Sequence, residues 1–174
     1  LPDPVLPALC AADELIVTGI RGAGVMPAGA ILGMAAHLAG HGCSVLDNTG
    51  IARKGGAVSS HVRLAAQPGG LRASRIDAAR ARTLIGGDLL VSAEPATLSR
   101  LERGRTRAVL NADAVPTLNQ RLDPSAGFDP APLQRAIERG VAVEVRGGFE
   151  CIAEQHVAIG EAAMLRRPEG RNVM

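Results

Sequence analysis

With 174 residues, 47% of them hydrophobic and 21% charged, the chain is long enough for one domain with its own core. Phe128 and Phe149 are its only aromatic residues, so no stacking platform for single-stranded nucleic acid can be assembled, and a net charge of +2 marks neither a nucleic-acid nor a membrane surface. No apolar run reaches the ~18 residues needed to span a bilayer. Cys10, Cys43 and Cys151 are too scattered for a cysteine metal cluster, which points to reduced thiols in the cytoplasm.

"LPDPVLPAL" at 1–9 carries three prolines and reads as extended chain. It predicts a linker or entry segment over 1–13, followed by a single α/β domain over 14–174. The non-Met start and this entry segment favour a piece of a fusion. "ELIVTG" at 14–19 is a short apolar run ended by Gly, as in a buried strand. "GIRGAG" is a glycine turn, and from Val25 to about His41 the apolar residues recur at helical spacing until Gly40 and Gly42. "CSVLD" at 43–47 is a second strand, and "AVSSHVRLA" after the "NTGIARKGG" loop alternates like a third.

Further on, "RIDAARARTLIGG" at 75–87 reads as a helix, "DLLVSAE" at 88–94 as a strand, and "PATLSRLERG" as a helix with Pro95 in its first turn. "TRAVLNA" is a strand, "PTLNQRLDPSAGFDP" a polar loop, "APLQRAIERG" a helix, "VAVEVRG" a strand and "CIAEQHVAIGEAAML" a helix. Strands alternating with helices predict a Rossmann-like, three-layer α/β/α fold around a mostly parallel sheet.

The glycine turn has the spacing G-x-x-G-x-G at Gly19, Gly22 and Gly24, which is not the dinucleotide fingerprint. A glycine turn entering a helix can present backbone N–H groups to an anion, or can be a tight turn with no ligand. Asp47, ending the second strand, stands where a dinucleotide domain keeps its ribose-binding acid, or is a turn residue. His37 and His41 lie four residues apart at a helix end; with no H-E-x-x-H motif and no third ligand nearby, cationic side chains favouring the helix dipole are a better reading than a metal pair. His61 on the third strand reads as structural or interfacial rather than as a base.

Lys54 is the one lysine among nineteen basic residues, and Gly55-Gly56 follows it at once. No Walker motif is formed, because the lysine precedes its glycines. Arg53 and Lys54 in this loop can hold phosphate or carboxylate, while the glycines admit close backbone approach. If generic charge were the requirement, this chain would use Arg; a compact ammonium is a different tool from a guanidinium fork.

Taken in order, "VTGIRGAGVMPAGAILGMAAHLAGHGCSVLDNTGIARKGGAVSSHVRLA" and "GGDLLVSAEPATLSRLERGRTRAVLNADAVPT" resemble the gamma domain of 2-oxoacid (pyruvate/indolepyruvate):ferredoxin oxidoreductases, most closely the indolepyruvate ferredoxin oxidoreductase branch. The likeness runs to about Thr117. The resemblance implies a Rossmann-like module without a redox centre of its own, in a complex or fusion that uses thiamine diphosphate, magnesium, iron–sulfur clusters and coenzyme A. Its partners would be the thiamine-binding and iron–sulfur domains or subunits, and ferredoxin through the complex. The whole enzyme would oxidatively decarboxylate a 2-oxoacid to an acyl-CoA. This domain would shape the site and help enclose coenzyme A, and would bind no cofactor alone.

The resemblance also implies the site. Gly19, Arg21, Gly22 and Gly24, with Asn48, Thr49, Gly50, Arg53, Lys54, Gly55 and Gly56, would face coenzyme A or the partner domains. Ser59, Ser60 and His61 would add hydrogen bonds there. None is proposed as a nucleophile or general base, and no catalytic residue is assigned. The alternatives are a nicotinamide- or nucleotide-binding Rossmann module, and a degenerate gamma domain kept as a structural surface.

Overall fold

The structure is a computed structural model that describes residues 12–50, 56–111, 129–141 and 143–147, the last as backbone. The entry segment over 1–11, Arg53, Lys54 and Gly55, nearly all of the 116–130 loop and the 151–165 helix lie outside the described residues.

The strands are β1 (Asp13–Ile20), β2 (Gly42–Thr49), β3 (Ala57–Ala65), β4 (Thr83–Gly86), β5 (Arg107–Asn111) and β6 (Val143–Gly147). They form a six-stranded sheet in the order β2-β3-β1-β4-β5-β6. The pairs β1–β4, β4–β5 and β5–β6 are parallel. β3 is antiparallel to both β1 and β2, so β1 and β2 run the same way with β3 reversed between them. The expected mostly parallel α/β sheet is therefore present. The β1–helix–β2 crossover leaves a gap that the returning β3 fills, a long-range pairing that no local pattern encodes.

Helix α1 (Val25–Leu38) starts at Gly24, whose φ of 78° lies in the left-handed region, and Gly22 before it has φ 98°. These glycines are needed for the turn itself, since a side chain would be strained there. The helix packs through Val25, Gly29, Gly33 and Ala36, a seam of small residues. A Cβ on Gly29 would lie 2.2 Å from Ser60 Oγ, and one on Gly33 would lie 2.7 Å from a Val45 methyl. The helix backbone thus lies directly on β2 and β3. Leu32 packs on the core beneath, but most of its large apolar side chains point outward: Met26, Ile31, Met34 and Leu38 are the exposed large hydrophobics among the described residues.

Chain 75–94 differs from the pattern reading. Residues 75–82 are not helical; Ala79 has φ 53° and Arg82 donates its amide to the Glu14 carbonyl, and the strand β4 follows directly. "DLLVSAE" contains the single-turn helix α2 (Leu89–Ser92), because Asp88 caps it by accepting the Val91 N–H at 2.9 Å. A short apolar run fits strand or helix equally by periodicity, and the cap decides. The helix predicted from Pro95 is also one turn, α3 (Pro95–Leu98). Gly86 and Gly87 let α2 press onto the sheet: a Cβ on Gly86 would meet Ser92 Oγ at 2.3 Å, and Thr18 Oγ1 hydrogen-bonds Ser92 Oγ at 2.8 Å.

Helix α4 (Ala131–Glu138) buries Ile137. One core, on the face away from α1, joins Ile16, Ile76, Leu84, Leu89, Leu101, Leu110 and Ile137. A smaller one under α1 joins Val17, Val25 and Val58. Two cores on opposite faces of one sheet make the three layers. Register places Glu14 opposite Arg63, and the buried Glu14 carboxylate accepts from Arg63 Nη2 at 2.7 Å and Nε at 3.0 Å.

Candidate functional site

β1 and β2 end side by side with the start of β3, so the glycine turn and the β2–β3 loop meet at one edge of the sheet. Arg21 joins them. Its amide donates to the Gly56 carbonyl at 2.9 Å, and its Nη2 donates to the Gly50 carbonyl at 3.2 Å. Gly22 and Gly24 have no atom within 4 Å of a would-be Cβ, so this rim is open. A guanidinium and open backbone at the head of a helix suit an anion sterically and electrostatically.

Beside this rim, on the sheet face opposite α1, is a cleft of about 300 Å³. Ile16, Ser59 and His61 form its floor, Asn48, Thr49 and Gly50 one wall, and Arg75, Glu94, Thr97 and Arg100 the other. Strand alternation explains the floor: Ser59 and His61 share a face, and His61 pairs with Ile16. Ser60 takes the other face. It is fully buried under α1 and not in the cleft, so it does not add the expected surface hydrogen bond.

His61 is only 3% exposed, and its Nδ1 accepts the Ile76 N–H at 3.2 Å. The neutral ring therefore carries its proton on Nε2. Burial first, then the nearby Arg100 and Arg75 guanidiniums, push its pKa from 6.5 down to about 4. At neutral pH the ring is an uncharged donor and a poor proton acceptor, in keeping with a binding rather than a base role. Arg100 Nε donates to the Ile76 carbonyl at 3.1 Å, and its Nη1 to the Ala96 carbonyl. Burial and Arg75 lower the Arg100 pKa, against an opposing pull from Asp77.

Of the residues singled out in the sequence, Asn48, Thr49, Gly50, Ser59 and His61 come together at the cleft, and Gly19, Arg21, Gly22, Gly24 and Gly56 belong to the adjoining rim. Gly19 is closely packed, with a would-be Cβ 2.8 Å from a Val25 methyl. Arg75 and Arg100 were not singled out. Nothing local marks them among so many arginines; only the fold of 66–101 over the sheet brings them to His61. Asp47 is exposed on β2, the edge strand, with β3 between it and β1. That puts it one strand further from the glycine turn than a dinucleotide-binding acid stands. Among the described residues no group of three His, Cys, Asp or Glu can hold a metal ion, and no helix is long and apolar enough to cross a membrane.

Residues 14–157 match the family model described as pyruvate ferredoxin/flavodoxin oxidoreductase. The chain belongs to that family. The likeness seen in the ordered sequence motifs is thus met at the level of the 2-oxoacid:ferredoxin oxidoreductases. No curated protein sequence matches the chain. Two solved structures from the same kind of enzyme are similar in fold. One is a pyruvate oxidoreductase subunit from Thermotoga maritima, with TM-score 0.53 and 18% identity over 84% of this chain and 67% of that one. The other is a 2-oxoglutarate:ferredoxin oxidoreductase from Magnetococcus marinus, determined with 2-oxoglutarate, coenzyme A and succinyl-CoA bound. There the TM-score is 0.50 and the identity 17%, over 62% of this chain and 18% of that one. The likeness thus spans less than a fifth of the length of that second polypeptide.

Proposed function

We propose that this chain is the gamma domain of a thiamine-diphosphate-dependent 2-oxoacid:ferredoxin oxidoreductase of the indolepyruvate type, working in the cytoplasm, and that it shapes the active site and helps enclose coenzyme A. The observation that carries this reading is the joining of the glycine turn to the β2–β3 loop through Arg21, Gly50 and Gly56. It makes a continuous, open, cationic rim at the carboxyl ends of β1 and β2, where α/β sheets take ligands. Arg21 and the open backbone at Gly22 and Gly24 fit a phosphate of coenzyme A, with Arg53 and Lys54 on the same loop as further ligands.

The thiamine and iron–sulfur groups, held by partner domains, would supply the decarboxylation and carry the electrons to ferredoxin. The residues of this chain would bind, orient and exclude water. The apolar outer face of α1, with Met26, Ile31, Met34 and Leu38 exposed, supports packing against a partner domain.

In the assembled enzyme, Lys54→Ala is expected to raise the KM for coenzyme A about tenfold with little change in Tm. Lys54→Arg should recover only part of it, since a guanidinium does not replace a compact ammonium. An unchanged KM for coenzyme A together with unchanged turnover in both variants would leave a structural gamma domain as the better reading. Saturable nicotinamide binding to the chain, lost in Asp47→Ala, would favour the nucleotide module instead.

A further inference from the structure

Arg75 and Arg100 in the cleft form no ion pair among the described residues. The ion pairs among the described residues are Arg63–Glu14, Arg80–Glu14 and Arg105–Glu102, and none involves Arg75 or Arg100. Arg100 is half-buried, and its two hydrogen bonds to the Ile76 and Ala96 carbonyls fix the plane of its guanidinium. Arg75 reaches the same cleft from the segment over the sheet, and has no described hydrogen bond that would hold it elsewhere. The His61 ring lines the same cleft, and its Nε2–H is not committed to Ile76. Asn48 and Ser59 add neutral donors. Asp77, near Arg100, and Glu94, exposed on the cleft wall, are the acidic groups close by, and neither forms an ion pair with the arginines.

A fixed guanidinium at Arg100, with the exposed Arg75 guanidinium and uncharged N–H and O–H donors beside it, is relieved by an anion that accepts from all of them. We infer that this cleft is a binding site for the oxyanion of a small acid, a carboxylate or a phosphate group. At about 300 Å³ it sits at the small end of ligand sites, so it takes a small acid or the charged end of a larger one, and not a whole dinucleotide. It lies on the sheet face opposite α1, adjoining the rim at Gly50 but without Gly22 or Gly24 in its lining, and it stands on its own contacts whether or not the coenzyme A reading holds.

The bound anion would neutralise the field that depresses His61, so His61 reports occupancy. Its pKa is pushed down to about 4 partly by Arg100 and Arg75, and an oxyanion between them reverses that push. The experiment follows the His61 imidazole by NMR in the histidine-labelled chain at fixed ionic strength. Inorganic phosphate, 2-oxoglutarate and coenzyme A are added in turn.

A saturable response with at least one of them is expected, with the His61 midpoint rising by about one pH unit. Affinity should fall about tenfold in Arg75→Gln, which removes no described hydrogen bond, and rise in Glu94→Gln. Response to phosphate or coenzyme A assigns a phosphate ligand; response to 2-oxoglutarate alone assigns a carboxylate. No saturable response up to about 10 mM of any of the three would overturn the inference. So would a response that Arg75→Gln leaves unchanged.

Discussion

Arg21 reaches across from the glycine turn to the Gly50 carbonyl at 3.2 Å, tying the end of β1 to the end of β2. Because its backbone N–H also holds Gly56, one residue pins both ends of the β2–β3 loop. The side chain is exposed, so its hydrogen bond contributes little to global stability. Arg21→Ala is expected to lower Tm only slightly, by less than about 1 kcal/mol of stability. Hydrogen exchange over 48–50 should nevertheless quicken several-fold. Unaltered protection there would show that the side chain does not organise the rim.

The seat of α1 on β3 gives a sharper expectation. Gly29 and Ser60 are close enough that an added Cβ would lie 2.2 Å from the serine oxygen and 3.1 Å from its Cβ. Gly29→Ala would therefore push the helix off the sheet and destabilise by about 1–3 kcal/mol, despite the better helix propensity of alanine. Ser60 Oγ is buried without a described hydrogen-bond partner, so Ser60→Ala should be nearly neutral by itself. Combined with Gly29→Ala it should restore part of the loss. Denaturant unfolding of the two singles and the double checks this; strict additivity would contradict the contact.

His61 gives a pH dependence whose sign follows from its burial. The unfolded ring takes up a proton near pH 6.5, while the folded ring resists down to about 4. Between those values the unfolded state binds more protons, so stability falls as pH falls through the window and is complete above it. The expected loss from pH 7 to pH 4.5 is about 2–3 kcal/mol. His61→Gln should flatten that part of the stability curve, whatever it does to the stability at pH 7. An equally steep slope in the variant would assign the dependence elsewhere.

Much of the fold was readable because it rests on local chemistry. "AVSSHVRLA" is strand from its first residue to its last, and the glycine turn announces positive φ where Gly22 and Gly24 have it. The 75–94 segment misled because its alanines and arginines favour a helix that tertiary contacts override, while Asp88 turns an apolar run into a capped helical turn. The site was half legible. Asn48, Thr49, Gly50, Ser59 and His61 stand out by motif and spacing, whereas Arg75 and Arg100 are ordinary arginines until the chain folds.

Composition and order alone determined the α/β class, the turn into α1, the resemblance to the ferredoxin oxidoreductases and the two loops proposed to face the ligand. These depend on residue type and short spacing, which a linear chain displays directly. Tertiary structure alone decided that β3 lies between β1 and β2, that α1 packs mainly by its small residues and shows most of its large ones, and that Ser60 takes the face under α1 while His61 takes the cleft face. Each of these is a choice of partner across the chain, set by register and close packing, and no stretch of sequence contains its own partner.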